Sequence, residues 1–365
     1  MGILKQTPYL LSIITISILT SCEQTKEKSP IDKEFYVPVE KSNLFIRLVG
    51  NPYKPIIIDL HGGPGGFSGF NHEIYSPYLE DDYLLVYLDQ RGSGRSDISN
   101  DSTLLTTQQF VKDLDVVVDT LKNRYPNKNI NLLGTSWGGT YGLLYLIDHQ
   151  DKITSFACTS GKANSVYQNI SLIEHEEELA KKFLEESTNP DDKKIYEKML
   201  IKLSEIKNSG FKNFYDDMNL IKHEFPKKLG FSPYKFKTEN DKKKKPLDTV
   251  GVFKRAKYTK EMLKNSMGKM EIVNKVFRNT EEYNNLNIID KINIIKKPVI
   301  VLQGEYDYAV GVKQAEMIYN ALENIPVKDK ELHIIPNTAH NLKKESVRNK
   351  YFAFIFYSIN AKFNV

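Results

Sequence analysis

Gly134-Thr135-Ser136-Trp137-Gly138-Gly139 follows the apolar run Asn129-Ile130-Asn131-Leu132-Leu133 and precedes a helical segment at 140–149. A bare G-x-S-x-G marks nothing more than a turn, but a strand before it and a helix after it make a sharp bend that exposes a serine hydroxyl. Glycines at 134 and 138 let strand and helix approach where a Cβ would collide. The stretch singles out Ser136 as a nucleophile.

Working outward, short and nearly continuous apolar runs at 55–60, 83–88, 129–133, 153–158 and 298–302 have the pattern of strands buried on both faces of a parallel sheet. The clearest helical period between them is 107–125, where Phe110, Leu114, Val117, Val118 and Leu121 share a face and Thr106 or Thr107 can cap the start. Strands alternating with helices predict an α/β fold with a mostly parallel central sheet flanked by helices. Residues 34–39 and 43–49 alternate apolar and polar, as a hairpin at one sheet edge would. Between Gly161 and about Asp290 the alternation lapses into Lys- and Glu-rich sequence with helical periods such as Leu172, Leu179 and Phe183. It resumes with a helix at 311–322, a strand at 331–335 and an amphipathic helix from about Glu345. The expected division is a core of 34–160 and 291–365, with a helical cap of 161–290 inserted over it.

A serine hydroxyl needs a base, and the base needs a carboxylate to orient it. Of seven histidines, His340 lies in the loop after the last predicted strand, where it can reach the sheet's carboxyl edge. His333 lies within that strand and reads as structural; His149, His175 and His223 read as solvated surface residues. The run 299–302 leads into Gln303-Gly304-Glu305-Tyr306-Asp307, which offers two carboxylates. Asp307, farther past the strand end, is the favoured acid and Glu305 the alternative. Thr159-Ser160-Gly161-Lys162, after a neighbouring strand, has no carboxylate to offer. Backbone amides can hold an oxyanion without reorganising, and His61-Gly62-Gly63-Pro64-Gly65 after the strand ending at Leu60 is placed to supply one; the Trp137 amide is the second.

His61-Gly62-Gly63-Pro64-Gly65, Asp89-Gln90-Arg91-Gly92-Ser93-Gly94-Arg95-Ser96 and the Ser136 turn with Trp137 together resemble the prolyl iminopeptidase family of α/β-hydrolases, closely over about 59–159 and by position over 298–340. The resemblance implies release of N-terminal residues, often proline, from peptides. It also implies oxyanion amides at Gly63 and Trp137 and a triad of Ser136, Asp307 and His340. Gly92-Ser93-Gly94 lacks the third glycine or Walker lysine of a phosphate loop, and Asp89 and Arg91 are expected to brace the strand end. Family members bind the substrate's free amine through cap glutamates, often in tryptophan-rich sequence. The only Trp here is Trp137. The acidic cluster of Glu174, Glu176, Glu177 and Glu178 is the place to look, with Glu174, Glu177 and Glu178 as substrate-binding candidates and a solvated helix face as the alternative. A carboxylesterase or amidase on small acyl substrates, and a binding protein that keeps the fold without turnover, are the competing functions.

At the other end, Lys5, an apolar stretch at 9–19 and Leu19-Thr20-Ser21-Cys22 have the layout of a signal peptide too short to span a bilayer. The last four residues resemble the lipobox of bacterial lipoproteins. Residues 1–22 are thus expected to be a lipoprotein signal peptide, Cys22 the lipidated mature N-terminus and 23–33 a tether, placing the protein outside the cytoplasm on a membrane, periplasmic or at the cell surface. The net charge of +5 is a small imbalance between 51 basic and 46 acidic residues, which gives no footprint for nucleic acid. The basic run Lys242 to Lys245 reads as a solvated loop. With two cysteines, Cys22 and Cys158, no structural disulfide is expected. No metal-binding spacing occurs, and no cofactor or metal is expected. The expected partners are a peptide or small acyl substrate and, through Cys22, a membrane.

Overall fold

The computed structural model describes residues 30–98, 101–210, 214–229, 231–232, 235–236, 253–340, 342, 349–350 and 354. The expected signal peptide with Cys22, the Lys242 to Lys245 run and nearly all of the expected C-terminal helix lie outside the described residues.

Eight strands form one sheet: β1 (Ile31–Val39), β2 (Ser42–Gly50), β3 (Ile56–Leu60), β4 (Leu84–Leu88), β5 (Ile130–Thr135), β6 (Ser155–Thr159), β7 (Val299–Gly304) and β8 (Lys330–Ile335). Their spatial order is β1-β2-β4-β3-β5-β6-β7-β8. β2 runs antiparallel to both neighbours, and every other pairing is parallel. The runs read as doubly covered strands are so covered: all five residues of β3, β4 and β6 and all six of β7 are buried. The edge strand β1 buries only Val37. It begins at Ile31, so the last residues assigned to a tether belong to the sheet.

After α1 (Ser68–Leu79), the helix α2 (Thr107–Arg124) starts where the Thr106 hydroxyl accepts from the Gln109 amide at 3.1 Å. It ends with Lys122 and Arg124 near its negative pole. Its buried stripe of Phe110, Leu114, Val117, Val118 and Leu121 enters the main core, where each such side chain contributes about 1.5–3 kcal/mol. Helix α3 (Trp137–His149) crosses from β5 to β6.

The segment between β6 and β7 carries the long helices α4 (Ser165–Glu186), α5 (Pro190–Ser209) and α6 (Lys260–Phe277), with shorter helical turns within 214–228. Asn189 caps α5, Pro190 occupies its first turn, and Gly210 ends it at φ 63°, the arrangement those residue types favour. Leu172, Ile173 and Leu179 of α4 and Met199, Leu203 and Ile206 of α5 form a separate small core that also takes in Tyr306 and Tyr308 from the loop after β7. The cap is therefore packed directly on the loop that carries Asp307.

Candidate active site

β5 lies between β3 and β6 near the centre of the sheet, and Ser136 stands at its end with φ 57° and ψ −118°. L-residues avoid that conformation, at a cost of about 1–3 kcal/mol. The surrounding backbone enforces it. Ser136 N donates to Thr159 O of β6 at 2.8 Å. A Cβ on Gly134 would come to 2.2 Å from Gly138 O, and one on Gly138 to 1.8 Å from Leu60 O. Gly62 passes beside the serine: its Cβ position is 3.2 Å from Ser136 Cβ and 3.7 Å from Oγ.

On the next strand ends, His340 Nδ1 lies 2.8 Å from Asp307 Oδ2. Asp307 is fully buried. Burial alone would raise its carboxyl, but the facing imidazole and the Val310 and Ala309 amides hold it below its ordinary value. Oδ1 accepts from Ala309 N at 2.8 Å and Val310 N at 3.0 Å, and Oδ2 accepts also from Gln303 Nε2 at 2.6 Å. An ionised carboxylate only accepts, so Nδ1–H donates to it and Nε2 is left as the basic nitrogen of the neutral ring. The loop is pinned from three directions: Tyr306 N donates to Thr338 O at 2.8 Å, Asn337 N to Glu305 Oε2 at 2.9 Å, and Ser160 Oγ to His340 O at 3.4 Å. Glu305, the alternative acid, thus holds the loop that presents His340.

The glycine loop is tied to the serine turn through Gln90, at the end of β4. Its backbone N donates to His61 Nε2 at 3.0 Å, its side-chain amide donates to His61 O at 2.8 Å, and its Oε1 accepts from Trp137 Nε1 at 3.0 Å. His61 Nδ1 faces Gly62 O at 2.9 Å. Burial keeps this imidazole below its ordinary pKa, consistent with the neutral tautomer that donates from Nδ1 and accepts at Nε2. Sequence reading gave Gln90 no role, although it sits in the quoted Asp89 to Ser96 stretch. The rest of that stretch braces, as expected. Asp89 accepts from Ser68 N, Arg95 N and Tyr258 Oη, and the buried Arg91 guanidinium makes two 2.7 Å bonds to Asp113.

Among the cap residues, Glu174 accepts from Tyr167 Oη at 2.7 Å, and both Glu174 and Glu177 lie 3.8 Å from Lys207 of α5. Glu178 is exposed. Glu176, between them, is fully buried with neither carboxyl oxygen hydrogen-bonded, and burial raises its pKa well above the ordinary value. His175, expected at the surface, is instead buried with its ring centroid 5.9 Å from that of Tyr308. The helix turns it onto the Asp307 loop. His333 does lie in its strand, 2.6 Å from Glu331, His149 lies 3.3 Å from Asp115, and His223 is exposed. Three basic residues that the sequence did not flag also approach the site. Lys162 follows β6, Lys222 lies in the short helical turns, and Arg278 ends α6 and donates to Gly63 O at 2.6 Å.

The family model described as "Serine aminopeptidase, S33" matches residues 51–347. A proline iminopeptidase of Xylella fastidiosa is 34% identical over 129 residues, which is 35% of this chain and 39% of that relative, so the chain spans well under half the length of the curated relative it matches. The crystal structure of a proline iminopeptidase-related protein from Thermus thermophilus is 21% identical with a TM-score of 0.59, covering 91% of this chain and 99% of that one. A putative lipase from Acinetobacter baumannii is 17% identical with a TM-score of 0.57, covering 90% and 93%. These two likenesses place the fold among the α/β-hydrolases, and the family match extends over most of the chain: it belongs to the serine aminopeptidase S33 family of hydrolases.

Proposed function

We propose that the protein is a serine hydrolase that releases N-terminal residues from peptides through an acyl-enzyme on Ser136. The observation that carries the proposal is the His340–Asp307 pair at 2.8 Å, on strand-end loops of the same sheet edge where Ser136 is held at φ 57°. In the proposed reaction, Ser136 Oγ attacks the first peptide carbonyl while His340 Nε2 takes its proton. Asp307 keeps the ring in the required tautomer and stabilises the imidazolium. The Gly63 and Trp137 amides receive the oxyanion, a contribution worth about 10²- to 10³-fold per donor. His340 then protonates the departing amine, and a water deprotonated by His340 releases the acyl group.

An aminopeptidase needs a group for the substrate's ammonium. Since Glu174 and Glu177 are engaged by Lys207, the member of the cluster best suited is Glu176, buried beside Tyr308, the residue after Asp307. An arriving ammonium would supply the counter-charge its carboxylate lacks. The basic side chains around the site favour a second reading, an esterase or amidase acting on small acyl compounds. A panel of aminoacyl p-nitroanilides with free and blocked amines separates the two. The aminopeptidase reading predicts turnover of the free series only, with Glu176→Gln raising KM for it. Equal turnover of the blocked series points to the esterase or amidase, and no turnover of any ester or anilide points to a binding protein.

Lipid anchoring at Cys22, with residence outside the cytoplasm, is part of the same proposal and rests on Leu19-Thr20-Ser21-Cys22. Metabolic labelling with a fatty-acid probe should mark the wild-type chain and leave Cys22→Ala unmarked.

A further inference from the structure

Lys162, Lys222 and Arg278 come together above the Ser136 site with almost nothing to balance them. Lys162 is only 6% exposed, and its Nζ lies 4.1 Å from the centre of the Tyr283 ring. That ring packs 6.0 Å from Trp137, the residue after the nucleophile. The main chain of Lys162 is fixed to α3 one turn past Ser136, with Thr140 Oγ1 donating to Lys162 O at 2.7 Å. Arg278 holds the glycine loop at Gly63 O. Lys222, partly buried on the cap, lies close enough to feel the charge of both Lys162 and Arg278. Among the described residues, no carboxylate forms an ion pair with any of the three. The charges acting on Lys162 reduce to Arg278, and those on Lys222 to Lys162, Arg278 and Asp307. Asp307 is already engaged by His340, Gln303 and two amides.

Lys162 is buried, Lys222 partly buried and Arg278 exposed at the rim, and a buried cation without a counter-ion is costly. Burial and mutual repulsion push Lys162 down to about 7 and Lys222 to about 8, which marks a place where an incoming negative charge would be strongly favoured. We infer that Lys162, Lys222 and Arg278 form a carboxylate-binding subsite beside Ser136, and that the substrate is a short peptide bearing a carboxylate close to the scissile bond. Two lysine point charges and a planar guanidinium fork suit that flat, singly charged group. Either the C-terminal carboxylate of a dipeptide or the acidic side chain of an N-terminal residue would supply it. The inference rests on the serine-hydrolase reading of Ser136.

The test measures kcat/KM for two matched pairs: alanyl-alanine against alanyl-alanine amide, and glutamyl- against glutaminyl-p-nitroanilide. Turnover of p-nitrophenyl acetate by wild type, lost in Ser136→Ala, reports separately on the hydrolase. The carboxylate member of at least one pair should be preferred about tenfold or more, the range expected of a hydrogen bond to a charged group; the pair that shows it identifies the source. The preference should fall toward unity in Lys162→Met and in Lys222→Met and persist in Lys162→Arg. Because it is a ratio within one variant, a general loss of activity cancels. It should also shrink between about pH 6 and pH 9, as the two lysines lose their protons. If neither peptide type is cut, glutarate should inhibit ester turnover about tenfold more strongly than glutaramide. Ester turnover without preference in either pair, and without preferential inhibition by glutarate, overturns the subsite and leaves the hydrolase standing. A preference that survives both Met variants also overturns it. Absence of Ser136-dependent ester turnover overturns the hydrolase reading and the inference with it.

Discussion

Around Ser136, backbone contact dictates almost every position; in the cap, what matters is which charges are turned inward. At the serine turn a Cβ on Gly134 or Gly138 would sit within 2.2 Å of backbone carbonyl oxygen, and Asp307 has all its hydrogen-bonding partners in place. The cap pairs its outer carboxylates with Lys207 but leaves Glu176 buried with neither carboxyl oxygen hydrogen-bonded and Lys162 buried with no counter-ion among the described residues. A satisfied site holds one geometry for chemistry common to many substrates. An unsatisfied one waits for the particular groups a substrate brings.

The contrast can be broken by substitution. The largest effect should come from Asp307→Asn, which preserves shape but reverses the hydrogen bond that sets the His340 tautomer; a fall in kcat of about 10³- to 10⁴-fold is expected, and a fall below about tenfold would move the acid elsewhere. Gly138→Ala should unfold or misplace the turn, lowering stability by about 3 kcal/mol or more in urea melts, because the added methyl meets Leu60 O at 1.8 Å. In the cap the sign reverses: Lys162→Met removes an uncompensated charge and should raise Tm at pH 6. Lys162 has a folded-state pKa pushed down to about 7 from an ordinary 10.5. Below pH 7 both states carry the proton and the burial penalty is fully present. Between about 7 and 10.5 the unfolded chain holds the extra proton and stability rises with pH. The gain in Tm on going from pH 6 to pH 9 should therefore be larger in wild type than in Lys162→Met. The smallest effect is expected of Glu305→Ala, which loses one loop bond to Asn337 N and should cost less than about fivefold in kcat/KM.

Sequence legibility divides along the same line. The strands β3 to β7 and the Ser136 turn are local: short, nearly continuous apolar runs, or two glycines at fixed offsets, carry the signal. Asp307 and His340 are legible by position, because strand ends at one sheet edge bring their loops together. Lys162, Lys222 and Arg278 are far apart in the chain, and only the folded cap puts them in one place. Glu176 is an intermediate case. It sits four residues after Leu172 and three before Leu179, on the buried stripe of α4, so the helical period pointed it inward while its acidic neighbours suggested a solvated face. His175, beside it, has no link in sequence to the serine turn and so reads as solvated by default, whereas the fold buries it.

The central claim is that Ser136 is a nucleophile activated by His340, and active-site labelling with a fluorophosphonate followed by peptide mapping tests it most directly. The account predicts a single labelled residue, Ser136, in the wild-type chain, with labelling abolished in Ser136→Ala and strongly slowed in His340→Ala. An unlabelled wild-type protein, or a label carried by another residue, would contradict it.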